Sequence, residues 1–281
     1  MSPKLPSYLH APAGGTAGRR APAAVWRRAQ AGISMVEMLV VVLISMLMMA
    51  GVLGIVYGSR QNFTAQNQMA QLLDNERLVM TMVTNVVQNA GYFFDPAAEL
   101  STAALPTTTS VSLGASNGGA TYVFGTAGQA IYSYAASSAN NTSDQIIVRF
   151  KTGLINGASD GVPDCRGQTS SATQSSVNIL YVNTSTQNLY CTTIINGGTA
   201  STTLLATGVE NMSVTYGVAT NSGATLQYFT SASMTANWAS VVSMQVTLTF
   251  APPFNAVTAA GSSGYTTAPT LTRTIDLLNR I

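Results

Sequence analysis

The sequence predicts an α+β protein, a long N-terminal helix followed by a head built on antiparallel β-sheet. Three observations lead there. Residues 33–57, ISMVEMLVVVLISMLMMAGVLGIVY, form an apolar run whose one charge is Glu37. Residues 58–90 keep a three- and four-residue apolar rhythm, with no proline from 24 to 95. Beyond Gly91 the rhythm becomes alternation, as in Ile146-Val148-Phe150, Met212-Val214-Tyr216 and Met244-Val246-Leu248-Phe250. A period of two fits strands with one buried face.

Residues 1–32 are rich in Ala, Pro, Gly and Arg, lack periodicity and read as a leader or tail. They hold Lys4, Arg19, Arg20, Arg27, Arg28 and the only histidine, His10, while all ten acids follow residue 32. Without this segment the chain would carry seven basic and ten acidic side chains, a net charge of −3. The run 33–57 is long enough to span a bilayer core of roughly 30 Å as a helix. Its basic flank puts the N-terminus in the cytoplasm and the bulk of the chain outside.

The helix is expected to continue through residues 58–91. Phe63, Ala70, Leu73, Met80, Val83, Val87 and Ala90 mark one apolar face, Asp74 can pair with Arg77 at i, i+3, and Gly91 is a C-terminal stop. A helix over 33–90 would be about 90 Å long at 1.5 Å per residue. Its first half must therefore enter a membrane or a helical bundle. The second half is expected to carry the head, residues 92–281.

The head is sparse in charge. Residues 101–143 contain no charged side chain. Further candidate strands are 121–125, 177–183, 187–195 and 271–277, and Asn156-Gly157, Asp160-Gly161 and Asn196-Gly197 are turn signals. The expected layout is one antiparallel sheet packed on the second half of the helix.

Composition excludes several functions. Charged residues make up 8% of the chain, against about 25% in ordinary soluble proteins. There is no basic stripe to meet nucleic-acid phosphates. After residue 32 there is no histidine, which removes the Ser-His-Asp triad, the Cys-His pair and histidine metal ligands. Nor is there a G-x-S-x-G, so a membrane-anchored exported hydrolase is disfavoured. Cys165 and Cys191, 26 positions apart with no CxxC, suit one structural disulfide in an exported chain, with free thiols as the alternative.

A secretory signal places its small-residue cleavage site after the apolar core. Here Gly32 stands before the core, so cleavage would leave the apolar helix at a new N-terminus with Glu37 as its fifth residue. AG followed by ISMVEMLVVVLISMLMMAGVL resembles the class III leader junction and N-terminal helix of type IV pilins and type II secretion pseudopilins. Ile33 stands where Phe or Met is commoner. The GSRQ stretch, the NER–helix–NAGY ending, and later DGVPDC, LYC and LATGVENMSVTYGV resemble the PilW family of minor pilins. The likeness is strong over 27–94 and at these later blocks, and weak in 95–143 and 252–270.

That resemblance implies a pilin-like fold and a sequence of events. A prepilin peptidase would cut between Gly32 and Ile33 and methylate the Ile33 amine. The subunit would wait in the inner membrane, head in the periplasm, then be extracted into a surface pilus with other minor and major pilins by the inner-membrane assembly machinery. A priming or tip complex and a tip adhesin are the further implied partners. No cofactor, metal or catalysis is expected.

Placing a carboxylate in hydrocarbon costs roughly 2.5–3.5 kcal/mol on insertion scales. In pilins the amine created by cleavage neutralises it, from the same or a neighbouring subunit, so Glu37 is the expected assembly carboxylate. The plainer alternative is a signal anchor with an interfacial glutamate. Gly51, Gly54 and Gly58 are candidates for local helix melting in a fibre, or else for close helix packing. A pseudopilin of a type II secretion system is the alternative within the superfamily.

Other features carry bland readings beside sharper ones. Asn156, Asp160 and Asp164 recur at four-residue steps but lack the DxDxDG calcium spacing and its closing Glu, so a turn is expected. Glu210, the only charge between Arg166 and Arg273, is either a solvated strand-end carboxylate or a partner for an arginine across a subunit contact. Arg19-Arg20 and Arg27-Arg28 lack the apolar residues that follow a twin-arginine export signal. Thirty-two residues is long for a class III leader, and a start at Val25 would give VWRRAQAG.

Overall fold

The computed structural model describes residues 32, 34–114, 119, 121–135, 143–219, 226–234, 237–252 and 268–279. The leader positions 1–31, Val25 among them, and Ile33 at the expected cleavage junction lie outside these residues. The fold is α+β, as the sequence predicts. The chain divides into two compact units after Gly58.

Helix α1 (Met35–Gln88) is the dominant helical element. Its first part, within the N-terminal unit, is exposed on all sides, and it is long and apolar enough to cross a membrane. No proline interrupts it there. Ser45 satisfies its hydroxyl internally by donating to the Val42 carbonyl at 2.9 Å, which keeps a polar group from facing an apolar surrounding unpaired.

Within the second unit α1 ends as the sequence predicts. Gly91 adopts a φ of +77°, the left-handed conformation that a terminating glycine supplies at little cost. Val79, Met80, Val83, Val86, Val87 and Ala90 are buried. The expected apolar face needs correction in its upper half. Phe63, at 67% exposure, Leu73, at 51%, and Ala70 face solvent, and the covered stripe starts only near Leu72. A helical period marks a face without saying how far along it a partner reaches. Asp74 and Arg77, expected to pair, form no ion pair among the described residues; exposed charges gain little from doing so.

The head also differs from the expected single sheet. A five-stranded sheet runs β3 (Ile131–Tyr134), β4 (Gln145–Thr152), β7 (Gln174–Asn183), β8 (Asn188–Ile195), β9 (Ser201–Thr207) in spatial order. A four-stranded sheet runs β11 (Leu226–Thr230), β10 (Val209–Ala219), β12 (Val241–Phe250), β13 (Thr270–Asp276). All these pairings are antiparallel. Two short hairpins complete the strands: β1 (Val111–Ser112) with β2 (Thr121–Tyr122), and β5 (Leu154–Ile155) with β6 (Ala158–Ser159). Alternation reveals a strand's inner face but not which sheet it joins, so two sheets could be read as one.

One apolar cluster unites the end of α1 with both sheets. It takes Val83 and Val87 from α1, Ile146, Val148 and Leu180 from the larger sheet, and Val214, Tyr216, Met244 and Val246 from the smaller. The other side of the larger sheet has its own cluster, in which Ile147, Ile179 and Tyr181 meet Tyr122 and Phe124. Strand β4 is therefore buried on both faces. Its alternating apolar residues had suggested one.

Two predicted turns are built as the residues require. Asn156 and Gly157 both take positive φ, 53° and 81°, in the two-residue loop between β5 and β6. Asn196 and Gly197 do the same after β8, at 50° and 69°, closed by Gly198 N–H donating to the Ile195 carbonyl at 2.8 Å. Asn-Gly is the dipeptide that best tolerates this pair of conformations.

Candidate functional site

The expected functional residues fall in two places. The first is the start of α1. Gly32 is exposed, and Glu37 is an exposed carboxylate in the first helical turn. There the unpaired N–H groups of the helix end favour a negative charge. Every other side chain from Met35 to Ala50 is uncharged, so Glu37 is the one group of this segment able to meet a cation. Gly51, Gly54 and Gly58 lie within unbroken helix, and a Cβ on each would meet nothing within 4 Å.

The second is the loop between β6 and β7, with β8 beneath it. Cys165 and Cys191 are joined in a disulfide, with Cα atoms 6.2 Å apart. Cys165 N–H donates to Asn178 Oδ1 at 3.0 Å, and Thr193 Oγ1 donates to the same oxygen at 3.3 Å. All four residues are buried. The bridge therefore pins the loop onto the middle of the larger sheet.

The loop's carboxylates are taken up by nearby backbone N–H groups and by Arg166. Asp160 accepts from Gly153 N–H at 2.8 Å and from Val162 N–H at 3.2 Å. Burial, then the neighbouring Asp160 charge and its hydrogen bond, raises the Tyr92 phenol above its ordinary pKa. Asp164 Oδ1 accepts from the N–H groups of Arg166 and Gln168, at 2.9 and 3.0 Å, while Oδ2 holds the Arg166 guanidinium at 2.7 Å. Asn156 sits apart in its hairpin turn. Among the described residues no three of His, Cys, Asp or Glu gather as metal ligands. Glu210 accepts from Gln187 Nε2 at 3.0 Å, which ties it to the turn before β8.

Two further constellations were missed in the sequence. Arg149 on β4 is 2% exposed. Its guanidinium donates to the backbone carbonyls of Gln129, Pro106 and Leu105, the last at 3.0 Å, and stands 4.2 Å from the centroid of the Phe124 ring. Burial pushes its pKa down to about 10, still far above neutrality, so it stays charged. It ties the backbone of Leu105, Pro106 and Gln129 to the larger sheet. The only signal was a cation inside the run QIIVRFKT. In the second, Met212 N–H donates to Ser143 Oγ at 2.8 Å and Val214 N–H to Asp144 Oδ2 at 2.9 Å. This polar clip binds β10 to the chain entering β4. A cavity of about 180 Å³ at the end of α1, bordered by Gly91, Leu105, Trp238 and Leu277, holds no titratable side chain.

An apolar helix with a lone carboxylate in its first turn, and a disulfide-pinned antiparallel head, are the features to be matched with known proteins. Residues 175–276, the span from β7 to the end of β13, match the model of the family described as Type IV Pilus-assembly protein W. The resemblance read from LYC and LATGVENMSVTYGV therefore holds over that part of the head. Among solved structures, a type IV-like pilin from Thermus thermophilus is similar at 13% identity with a TM-score of 0.37, over 74% of this chain and 96% of that one. No protein of curated function matches the chain.

Proposed function

We infer that this protein is a minor pilin, made as a precursor and assembled into a type IV pilus, where it takes part in priming assembly. The match of residues 175–276 to the pilus-assembly family carries the reading. The single charge of the apolar segment supports it, because Glu37 would be the fifth residue of a chain cut after Gly32. In this reading Gly32–Ile33 is the cleavage junction, Ile33 the methylated residue, and Glu37 the carboxylate that docks a subunit onto its neighbour. The helix anchors the subunit in the inner membrane with its head in the periplasm until extraction. The head serves structure and contact, without catalysis.

The test is a Glu37→Ala variant expressed in place of the native chain. Membrane insertion is expected to persist, because removing a charge from an apolar segment favours insertion, while pilus number falls. Wild-type pilus number with the variant sinks the assembly role of Glu37. N-terminal sequencing of the mature chain checks the junction, and immunogold labelling of sheared pili checks the destination.

A further inference from the structure

The outer face of the four-stranded sheet carries an ordered field of neutral polar groups, with the Asp276 carboxylate at its border. Register places Thr247 between Ser213 and Thr272, and Gln245 between Thr215 and Thr274. The opposite sides of the same strands supply Val214, Val246 and Ile275 to the core. Thr272 and Thr274 are exposed and Thr247 half-exposed, so the field faces solvent. Thr247 and Thr272 hydroxyls lie 2.9 Å apart, and Thr215 Oγ1 donates to Gln245 Oε1 at 3.5 Å. Arg273 alternates to the other side of β13, whereas Asp276 shares the face of Thr272 and Thr274 and, paired with Ser243, sets an exposed carboxylate at the border of the field, in the row that runs through Gly217 to Tyr228.

An aromatic shelf borders this field on β11. Tyr228, 57% exposed, pairs with Gly217. A Cβ on Gly217 would stand 2.5 Å from Leu226 Cδ2 and 3.3 Å from Tyr228 Cε1. The glycine thus leaves room for both side chains to lie across the sheet.

We propose that this face binds a neutral polysaccharide. A sugar ring offers an apolar C–H face and a hydroxyl rim, which suits an exposed tyrosine beside a hydroxyl field. The sheet repeats its hydroxyls about every 4.8 Å across strands and about 6.8 Å along them, so a polymer of repeating hydroxyls engages many weak bonds at once. Threonine is stiff at χ1 and loses little freedom on binding. A nucleic acid or other polyanion would find no field of cations here. A protein hot spot favours Trp, Tyr and Arg, with Ser and Thr under-represented. The inference is independent of the assembly reading.

The test uses the full chain in detergent, passed over immobilised neutral β-glucan and mannan, with heparin as the charged comparison. Retention is expected on at least one neutral polymer and not on heparin. Thr272→Lys and Tyr228→Ala should each weaken it by about tenfold or more, while Thr203→Lys on β9 leaves it unchanged. Melting temperatures confirm that each variant folds; if Tyr228→Ala does not, Thr274→Lys replaces it. Retention on neither neutral polymer, equal retention on heparin, or undiminished retention of Thr272→Lys overturns the proposal.

Discussion

Asn279 Nδ2 donates to the backbone carbonyl of Gln88 across 2.9 Å, so the last described residue of the chain caps the end of its long helix. The two positions are 191 residues apart in sequence. Helix ends leave carbonyls without partners, and here the far end of the chain supplies a donor. Asn279→Ala removes one hydrogen bond and is expected to cost about 1 kcal/mol, read as a lower denaturant midpoint with an unchanged slope.

The same corner makes Gly91 hard to replace. A Cβ there would stand 3.0 Å from the Asn279 carbonyl oxygen and 3.2 Å from Ala130 Cβ, at a φ of +77°. Gly91→Ala should destabilise the head by about 1–3 kcal/mol, more than Gly157→Ala, whose Cβ meets nothing. Equal losses for the two variants in urea unfolding contradict the crowding at this corner.

Arg149→Met tests the buried guanidinium. The variant leaves the carbonyls of Leu105, Pro106 and Gln129 without their donor, at a cost of about 2–4 kcal/mol. Arg149→Lys should recover only part of it, because an ammonium does not reproduce the planar fork. Full stability in either variant, measured by thermal melting, removes Arg149 from the list of structural anchors.

The disulfide Cys165–Cys191 closes a loop of 26 residues, worth about 3–4 kcal/mol in the chain-entropy model. Replacing both cysteines with serine should lower the melting temperature, and reductant should lower the wild type alone. A wild-type melt indifferent to reductant contradicts this.

Exposure along α1 gives a paired prediction. Val83, fully buried, should cost about 2 kcal/mol when cut to Ala. Leu73→Ala should stay within about 0.5 kcal/mol. Stability losses of the same size place a covering partner on Leu73 within the head itself.

Much of this was readable from residue types. Gly91 after Val87 and Ala90 announced the helix end, and Asn156-Gly157 and Asn196-Gly197 announced turns, because left-handed backbone is a local demand that few residues meet. The alternation of β10 and β12 announced strands for the same local reason. Long-range geometry was hidden. Nothing in Phe63 and Leu73 tells how far up the helix the head reaches. Ile147 and Arg149 on β4 become buried only because a distant segment carrying Tyr122 and Phe124 folds over them. Ser143 and Asp144 look like loop residues until β10 arrives beside them. Ile33 and Gly32 owe their reading to motif resemblance alone, and Glu37 owes part of its to the cost of a lone charge in an apolar run.

The scarcity of charge in the head has a consequence for the conditions it can endure. Its described ion pairs, Lys151–Glu99 and Arg166–Asp164, are partly shielded from water, and its buried cation is held by neutral carbonyls. Added electrolyte screens exposed charges within about 8–10 Å, yet apolar packing and backbone ladders leave it little to screen. A head of this make keeps its cohesion when the surrounding medium swings between dilute and briny.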